Sequence, residues 1–81
     1  MYLHANTKRA IERRLDKETG TIDGWKNGLI TSFYIGGKTF GFYKSNVKKL
    51  RPVIMGQVTG GWQPLGVVVG EAGAYHIEWH C

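Results

Sequence analysis

The fold is decided by a hairpin with the sequence Leu29-Ile-Thr-Ser-Phe-Tyr-Ile35, Gly36-Gly37, Lys38-Thr-Phe-Gly-Phe-Tyr-Lys44. A two-residue Gly-Gly loop predicts a primed turn, because glycine tolerates the positive φ that such turns require. The register that follows pairs Ile35 with Lys38, Phe33 with Phe40, and Thr31 with Phe42. Because strand side chains alternate between faces, one face of the hairpin is predicted to pack in the core, carrying Leu29, Phe33, Ile35, Phe40 and Phe42. The opposite face carries Ile30, Ser32, Tyr34, Thr39, Gly41 and Tyr43.

One helix is predicted before the hairpin, at about residues 7–18. Asn6 or Thr7 can cap its start, and Gly20 suits a left-handed residue after its end. At 100° per residue a narrow apolar stripe forms from Ala10, Ile11 and Leu15. A basic ridge recurs every fourth residue on the far side, at Arg9, Arg13 and Lys17.

Further strands are predicted after the hairpin, at residues 53–59, about 65–69, and 74–80. Pro64 places its part of the chain near a sheet edge. In the last strand Tyr75, Ile77 and Trp79 alternate with polar residues, as in a half-buried strand. Residues 66–79, which read Gly-Val-Val-Val-Gly-Glu-Ala-Gly-Ala-Tyr-His-Ile-Glu-Trp, resemble the hairpin of SH3-like and KOW-type small barrels, and this resemblance implies a barrel.

The predicted fold class is therefore α+β: one N-terminal helix followed by a four- to five-stranded antiparallel sheet or a small half-open SH3-like barrel. With 81 residues the chain forms a single domain, 1–81. Its parts are the helix, a basic hairpin and connector at residues 29–52, and a strand-rich tail at residues 53–80.

Charge is distributed unevenly along this domain. Residues 1–52 hold all eleven Lys and Arg and four acidic side chains, a net charge of +7, whereas residues 53–81 hold only Glu71 and Glu78. No apolar run approaches the ~20 residues of a membrane span, and the first residues lack a signal-peptide pattern. The single cysteine, Cys81, permits no intrachain disulfide. These features predict a cytoplasmic protein that does not engage a membrane.

Two motifs in the hairpin resemble known nucleotide-binding patterns. Gly36-Gly37-Lys38-Thr39 resembles the end of a P-loop, but Ser32 stands where its first glycine belongs, and a strand follows in place of the helix. Lys38-Thr-Phe-Gly-Phe-Tyr43 resembles the base-stacking motif of RRM and cold-shock domains, and departs from it at Thr39. The hairpin register favours Phe40 and Phe42 as core residues over a stacking platform.

His76, Glu78 and His80 share one face of the last strand. Two histidines and a carboxylate are weak candidates for a metal site, completed by His4 or Cys81, and a solvent-facing polar edge is the favoured interpretation. The same three residues permit a metal-independent ribonuclease, which needs a base, an acid and a cation. Bacterial mRNA-cleaving toxins resemble this chain in size and charge. No cofactor is predicted.

The leading functional prediction is a small non-enzymatic basic protein that binds nucleic acid mainly through phosphate contacts. The alternative is an inhibitor or adaptor that docks on a larger, nucleic-acid-handling protein, with loop tryptophans as anchors. A ribonuclease is the second alternative; the oligomeric state stays open. Candidate residues for binding nucleic acid or a partner are Arg9, Arg13, Lys17, Trp25, Lys26, Tyr34, Lys38, Tyr43, Lys44, Lys48, Lys49, Arg51 and Trp62.

Overall fold

A single helix and one antiparallel sheet make up the structure, a computed structural model that describes residues 3–25, 28–44 and 51–80. Strands follow one another in the sheet in chain order, β1-β2-β3-β4-β5, so that β1 and β5 are its edges. The sheet does not close into a barrel, and the predicted α+β class is confirmed. The elements are α1 (Ala5–Asp23), β1 (Gly28–Ile35), β2 (Lys38–Lys44), β3 (Pro52–Val58), β4 (Gly61–Val69) and β5 (His76–Trp79).

Helix α1 lies on one face of the sheet and contacts both edge strands, β1 and β5. Its buried residues meet aromatic and aliphatic side chains from all five strands in one core. Burying these side chains supplies most of the driving force for folding a domain of this size. The core consists of Leu3, Ile11, Leu15, Ile22, Phe33, Phe40, Phe42, Ile54, Leu65, Val68 and Ile77.

The central hairpin has the predicted turn and register. Gly36 and Gly37 have φ values of 59° and 78°, as a primed turn with two positive φ angles requires. Phe33 lies opposite Phe40, and Thr31 lies opposite Phe42. Phe40 and Phe42 are fully buried, so the prediction that they are core residues is confirmed.

The predicted faces are wrong at the start of β1, where Leu29 and Ile30 exchange places. The register shifts between Leu29 and Thr31, which makes Ile30 the extra residue of a β-bulge. Ile30 consequently packs against the core, whereas Leu29 is 42% exposed. Strict alternation fails here because the inserted residue moves Leu29, on its N-terminal side, to the opposite face of the strand.

Helix α1 is longer than predicted at both ends. It begins at Ala5 after His4, which makes no side-chain capping hydrogen bond, so neither Asn6 nor Thr7 is its cap. It continues through Gly20 to Asp23. Ile22 explains the extension, because it is 99% buried and extends the stripe of Ile11 and Leu15 by two turns. This burial outweighs the ~1 kcal/mol cost of a glycine inside a helix.

The tail forms its predicted strands with small changes in their bounds. Strand β4 begins at Gly61, earlier than expected, and β5 is confined to His76–Trp79. Pro64 lies in an interior strand, yet β5 pairs only with residues 66–69 of β4, which leaves the Pro64 part of β4 as a local edge. Residues 45–50 of the predicted connector lie outside the described residues.

Candidate nucleic-acid interface

A basic cleft lies between helix α1 and the edge strand β1. It encloses a cavity of about 160 Å³. The α1 wall carries three cations, and the β1 wall is aromatic and aliphatic, so the cleft combines positive charge with apolar surface. Its lining residues are Ala10, Arg13, Arg14, Lys17, Phe33, Tyr34 and Ile35.

Arg14 is fixed between the two walls of this basic cleft. Its guanidinium carbon lies 5.4 Å from the centroid of the Phe33 ring, a cation–π contact between α1 and β1. Its Nε lies 3.4 Å from Oε1 of Glu18, one helical turn onward. That Nε is buried, and its geometry toward Glu18 does not make a hydrogen bond, so the pair is held by charge alone.

Charged side chains lie on both flanks of α1. At ~100° per residue, Arg14, Lys17 and Glu18 fall on one side of the buried Ile11–Leu15 line, and Arg13 falls opposite that line. On the other side fall two basic residues, Lys8 and Arg9, and two carboxylates, those of Glu12 and Asp16. Lys8 lies over the Trp79 ring of β5 at 5.6 Å, which fixes that flank toward the opposite edge of the sheet. The helix has a net charge of +1, and three of its five cations line the cleft.

Tyr34 gives the basic cleft an exposed aromatic residue. It is 76% exposed, whereas the phenylalanines of the same hairpin are buried. Ile35 and Lys38 flank a two-residue turn and therefore form a hydrogen-bonded pair. Hydrogen-bonded residues alternate along β1 with residues whose backbone groups point away from β2, and Tyr34 is the first of these. The N–H and C=O of Tyr34 therefore face the free edge of the sheet.

Two more of the predicted cations lie near this end of the molecule. Lys38 is exposed and lies opposite Ile35, so both share one face of the hairpin next to the cleft. Arg9 precedes Arg13 by one turn and donates a hydrogen bond of 2.8 Å to Oδ1 of Asn6. Arg9 does not line the cleft, so the predicted ridge contributes Arg13 and Lys17 to it.

Lys44 and Arg51 lie at the other end of the sheet. Lys44 pairs with Gly28 and with Pro52, the residue that follows Arg51. Thr39, which pairs with Tyr34, is five residues from Lys44 along β2, a separation of about 17 Å. The Lys44–Arg51 end is therefore separate from the cleft. Lys26, Lys48 and Lys49, also predicted to bind, lie outside the described residues.

The remaining aromatic candidates are half-buried. Trp62 makes an edge-to-face contact with Tyr43 at 5.7 Å, across the outer face of the sheet. Trp25 accepts a 3.0 Å hydrogen bond at its carbonyl from Nζ of Lys44. Both tryptophans are half-buried; Trp25 lies in the loop after α1, and Trp62 lies in β4.

His76 and Glu78 lie on β5, the sheet edge opposite the cleft. His76 Nε2 is 3.9 Å from Glu78 Oε1, and both side chains are well exposed. His80 follows the strand, and its backbone N–H donates a 2.8 Å hydrogen bond to the Leu65 carbonyl. Within residues 3–25, 28–44 and 51–80, no three His, Cys, Asp or Glu side chains come close enough to hold a metal ion.

Sequence reasoning missed Arg14 and the apolar wall of Phe33 and Ile35. The available signal for Arg14 was its position three residues after Ile11, where a side chain flanks the buried stripe and reaches the neighbouring strand. No sequence signal placed β1 beside this flank, since that requires knowing where the helix docks.

Comparison of the chain with protein-family models, with curated proteins and with solved structures finds no match. Among the described residues, no helix combines the length and the apolarity that a membrane span needs. A functional assignment for this chain must therefore be argued from the cleft itself.

Proposed function

We propose that this protein binds nucleic acid without catalysing a reaction on it, and that it holds the phosphate backbone in the basic cleft. The observation that carries the proposal is the convergence of Arg13, Arg14 and Lys17 on one small cavity beside the exposed Tyr34. Arginine and lysine keep their charge at neutral pH and are the side chains that contact phosphate oxygens.

The size of the cleft supports a phosphate group as its occupant. A cavity of about 160 Å³ is smaller than the ~300–1,000 Å³ of typical small-molecule sites. It suits one phosphoryl group of a longer backbone better than a whole cofactor or substrate, and the exposed Arg13 and Lys17 can also contact the neighbouring phosphates. Among the described residues that line the cleft there is no imidazole or carboxylate, the side chains that most often act as general base or acid, which favours binding over catalysis.

Salt dependence of binding tests the proposal. If Arg13, Arg14 and Lys17 each neutralise one phosphate, log K falls with log[salt] at a slope of about −2.1 to −2.7. Affinity for a fluorescein-labelled oligonucleotide, followed by anisotropy, is then expected to fall roughly 20- to 40-fold between 50 and 200 mM NaCl. Absent binding, or binding that does not change with salt, would contradict the proposal.

A matched pair of charge variants locates the contact. Arg13→Gln removes one cation from the cleft, and Arg51→Gln removes the same charge at the far end of the sheet. Arg13→Gln is expected to weaken binding and to reduce the salt slope by about 1, while Arg51→Gln leaves the slope close to that of the parent chain. Equal effects of the two variants would mean that net charge alone, and not the cleft, governs binding.

A protein partner is the second candidate, and the free edge of β1 is the observation that favours it. Outward-facing backbone groups at an edge can pair with an extended segment of another chain, and cations beside that edge would select an acidic one. Isothermal titration with an acidic extended peptide, in the absence of nucleic acid, tests this alternative. Heat of binding that disappears in Arg13→Gln would support it.

A further inference from the structure

We propose that the basic cleft selects single-stranded over double-stranded nucleic acid, with an unpaired base stacked on the ring of Tyr34. This inference rests on the proposed function and adds to it the class of nucleic acid. Tyr34 and Leu29 are the exposed large hydrophobic residues of the described chain, and of these two only Tyr34 lines the cleft.

Tyr34 differs from the other aromatic residues of the sheet in its exposure. Other aromatic side chains of the sheet are buried in the core, as Phe33 and Phe40 are, or half-buried against a neighbour, as Tyr43 is against Trp62. Tyr34 instead keeps 76% of its surface in water: its side chain lies on the face of β1 opposite the core, and the residue itself borders the cleft. A flat, solvated aromatic ring next to a phosphate site is the arrangement on which single strands stack their bases.

The free edge of β1 also offers unpaired backbone groups to a single strand. The N–H and C=O of Tyr34 point away from β2, where they present one donor and one acceptor at the free edge of β1. Unpaired bases have free Watson–Crick edges that can hydrogen-bond to such groups, while bases in a duplex have already paired theirs. The edge therefore offers polar partners that only a single strand can use fully.

The proposed stacking is tested with three variants and two oligonucleotides of one sequence, single-stranded and annealed to the complement. Tyr34→Ala removes the ring, Tyr34→Phe keeps it, and Leu29→Ala removes the other exposed apolar side chain. Tyr34→Ala is expected to weaken single-strand binding between about 5-fold and about 150-fold, equivalent to ~1–3 kcal/mol per stacked base. Tyr34→Phe and Leu29→Ala are expected to bind as the parent chain does, and circular dichroism checks that each variant is folded.

The outcomes separate this inference from the function on which it rests. If the parent chain binds neither oligonucleotide, the proposed function fails and this inference fails with it. If it binds both with equal affinity in a salt-dependent way, and Tyr34→Ala changes nothing, the proposed function stands and the selection of single strands is overturned. Preference for the single strand that is lost in Tyr34→Ala and retained in Tyr34→Phe supports it.

Discussion

Arg14 of α1 lies over the ring of Phe33 in β1, with 5.4 Å between its guanidinium carbon and the ring centroid. This contact joins the helix to an edge strand of the sheet, and both residues line the basic cleft. One side chain thus contributes both to packing, through its stem and the ring, and to the charge of the cleft.

Replacing this cation separates its two contributions. Arg14→Met keeps an unbranched apolar side chain over Phe33 but removes the charge. We expect it to lower the free energy of unfolding by about 1 kcal/mol or less, because a half-exposed cation–π contact and one ion pair are each weak. Oligonucleotide affinity is expected to fall much more, by about tenfold, as for loss of one charge-assisted phosphate contact.

Urea denaturation and anisotropy on the same sample of Arg14→Met measure the two quantities. Arg51→Met is the control for loss of a basic residue outside the cleft. A stability loss of several kcal/mol in Arg14→Met, with unchanged affinity in the folded fraction, would make Arg14 a purely structural residue.

The bulge at the start of β1 predicts that Ile30 contributes more to stability than Leu29, whereas simple alternation predicts the reverse order. Ile30→Ala is expected to cost about 1–2 kcal/mol, less than the ~2–5 kcal/mol of a fully buried site, because Ile30 packs against the core while partly exposed. Leu29→Ala is expected to cost about 0.5 kcal/mol or less, since Leu29 is 42% exposed. Chemical denaturation of both variants checks this order, and the reverse order would mean that β1 has no bulge.

Two glycines are predicted to respond in opposite directions to alanine. Gly66→Ala would place its Cβ 2.8 Å from the carbonyl oxygen of Glu78 and 3.2 Å from Cα of Trp79. Backbone atoms of a paired strand cannot move aside, so we expect a loss of about 1–3 kcal/mol. Gly20→Ala meets no atom within 4 Å and lies inside α1, so it is expected to add about 0.5–1 kcal/mol.

Thermal denaturation of both glycine variants measures these shifts. Gly20→Ala serves as the matched control, because it makes the same chemical change at an open position. If Gly20→Ala were destabilising, α1 would not continue through residue 20, and the shorter predicted helix would be correct.

A hydrogen bond from the hydroxyl of Tyr75 to Oδ1 of Asp23 ties the last turn of α1 to the loop before β5. This bond, followed by burial and the nearby negative charge, raises the pKa of Tyr75 above its ordinary value of 10.0. Because the folded pKa is the higher one, the stabilisation is fully present below pH ~10 and is lost as the pH rises through the folded pKa.

Comparison with Tyr75→Phe isolates that bond. The parent chain is expected to be the more stable of the two below pH ~10, and the difference is expected to vanish at higher pH as the phenol ionises. Urea denaturation of both proteins across this range measures the difference and cancels the titration of other groups. A difference that persists unchanged in strongly alkaline solution would contradict this role for the hydroxyl.

The local elements of this fold were predictable wherever short-range chemistry specifies them. The Gly36-Gly37 turn fixed the register of Phe33 against Phe40, because few backbone conformations close a two-residue loop. The helix ends were less predictable. Gly20 is a reasonable terminator in isolation, and only the burial of Ile22 in the core carries the helix past it.

The candidate site was likewise predictable in part from the sequence and in part only from the tertiary structure. Sequence alone determined that this chain is basic in its first part, that α1 carries Arg13 and Lys17 on one side, and that Tyr34 lies opposite the core face of its hairpin. Only the tertiary structure decided that these residues meet, with Arg14, at one edge of the sheet. The physical reason is that charge and alternation are local properties of the chain, whereas the docking of α1 across β1 and β5 depends on how the whole core packs.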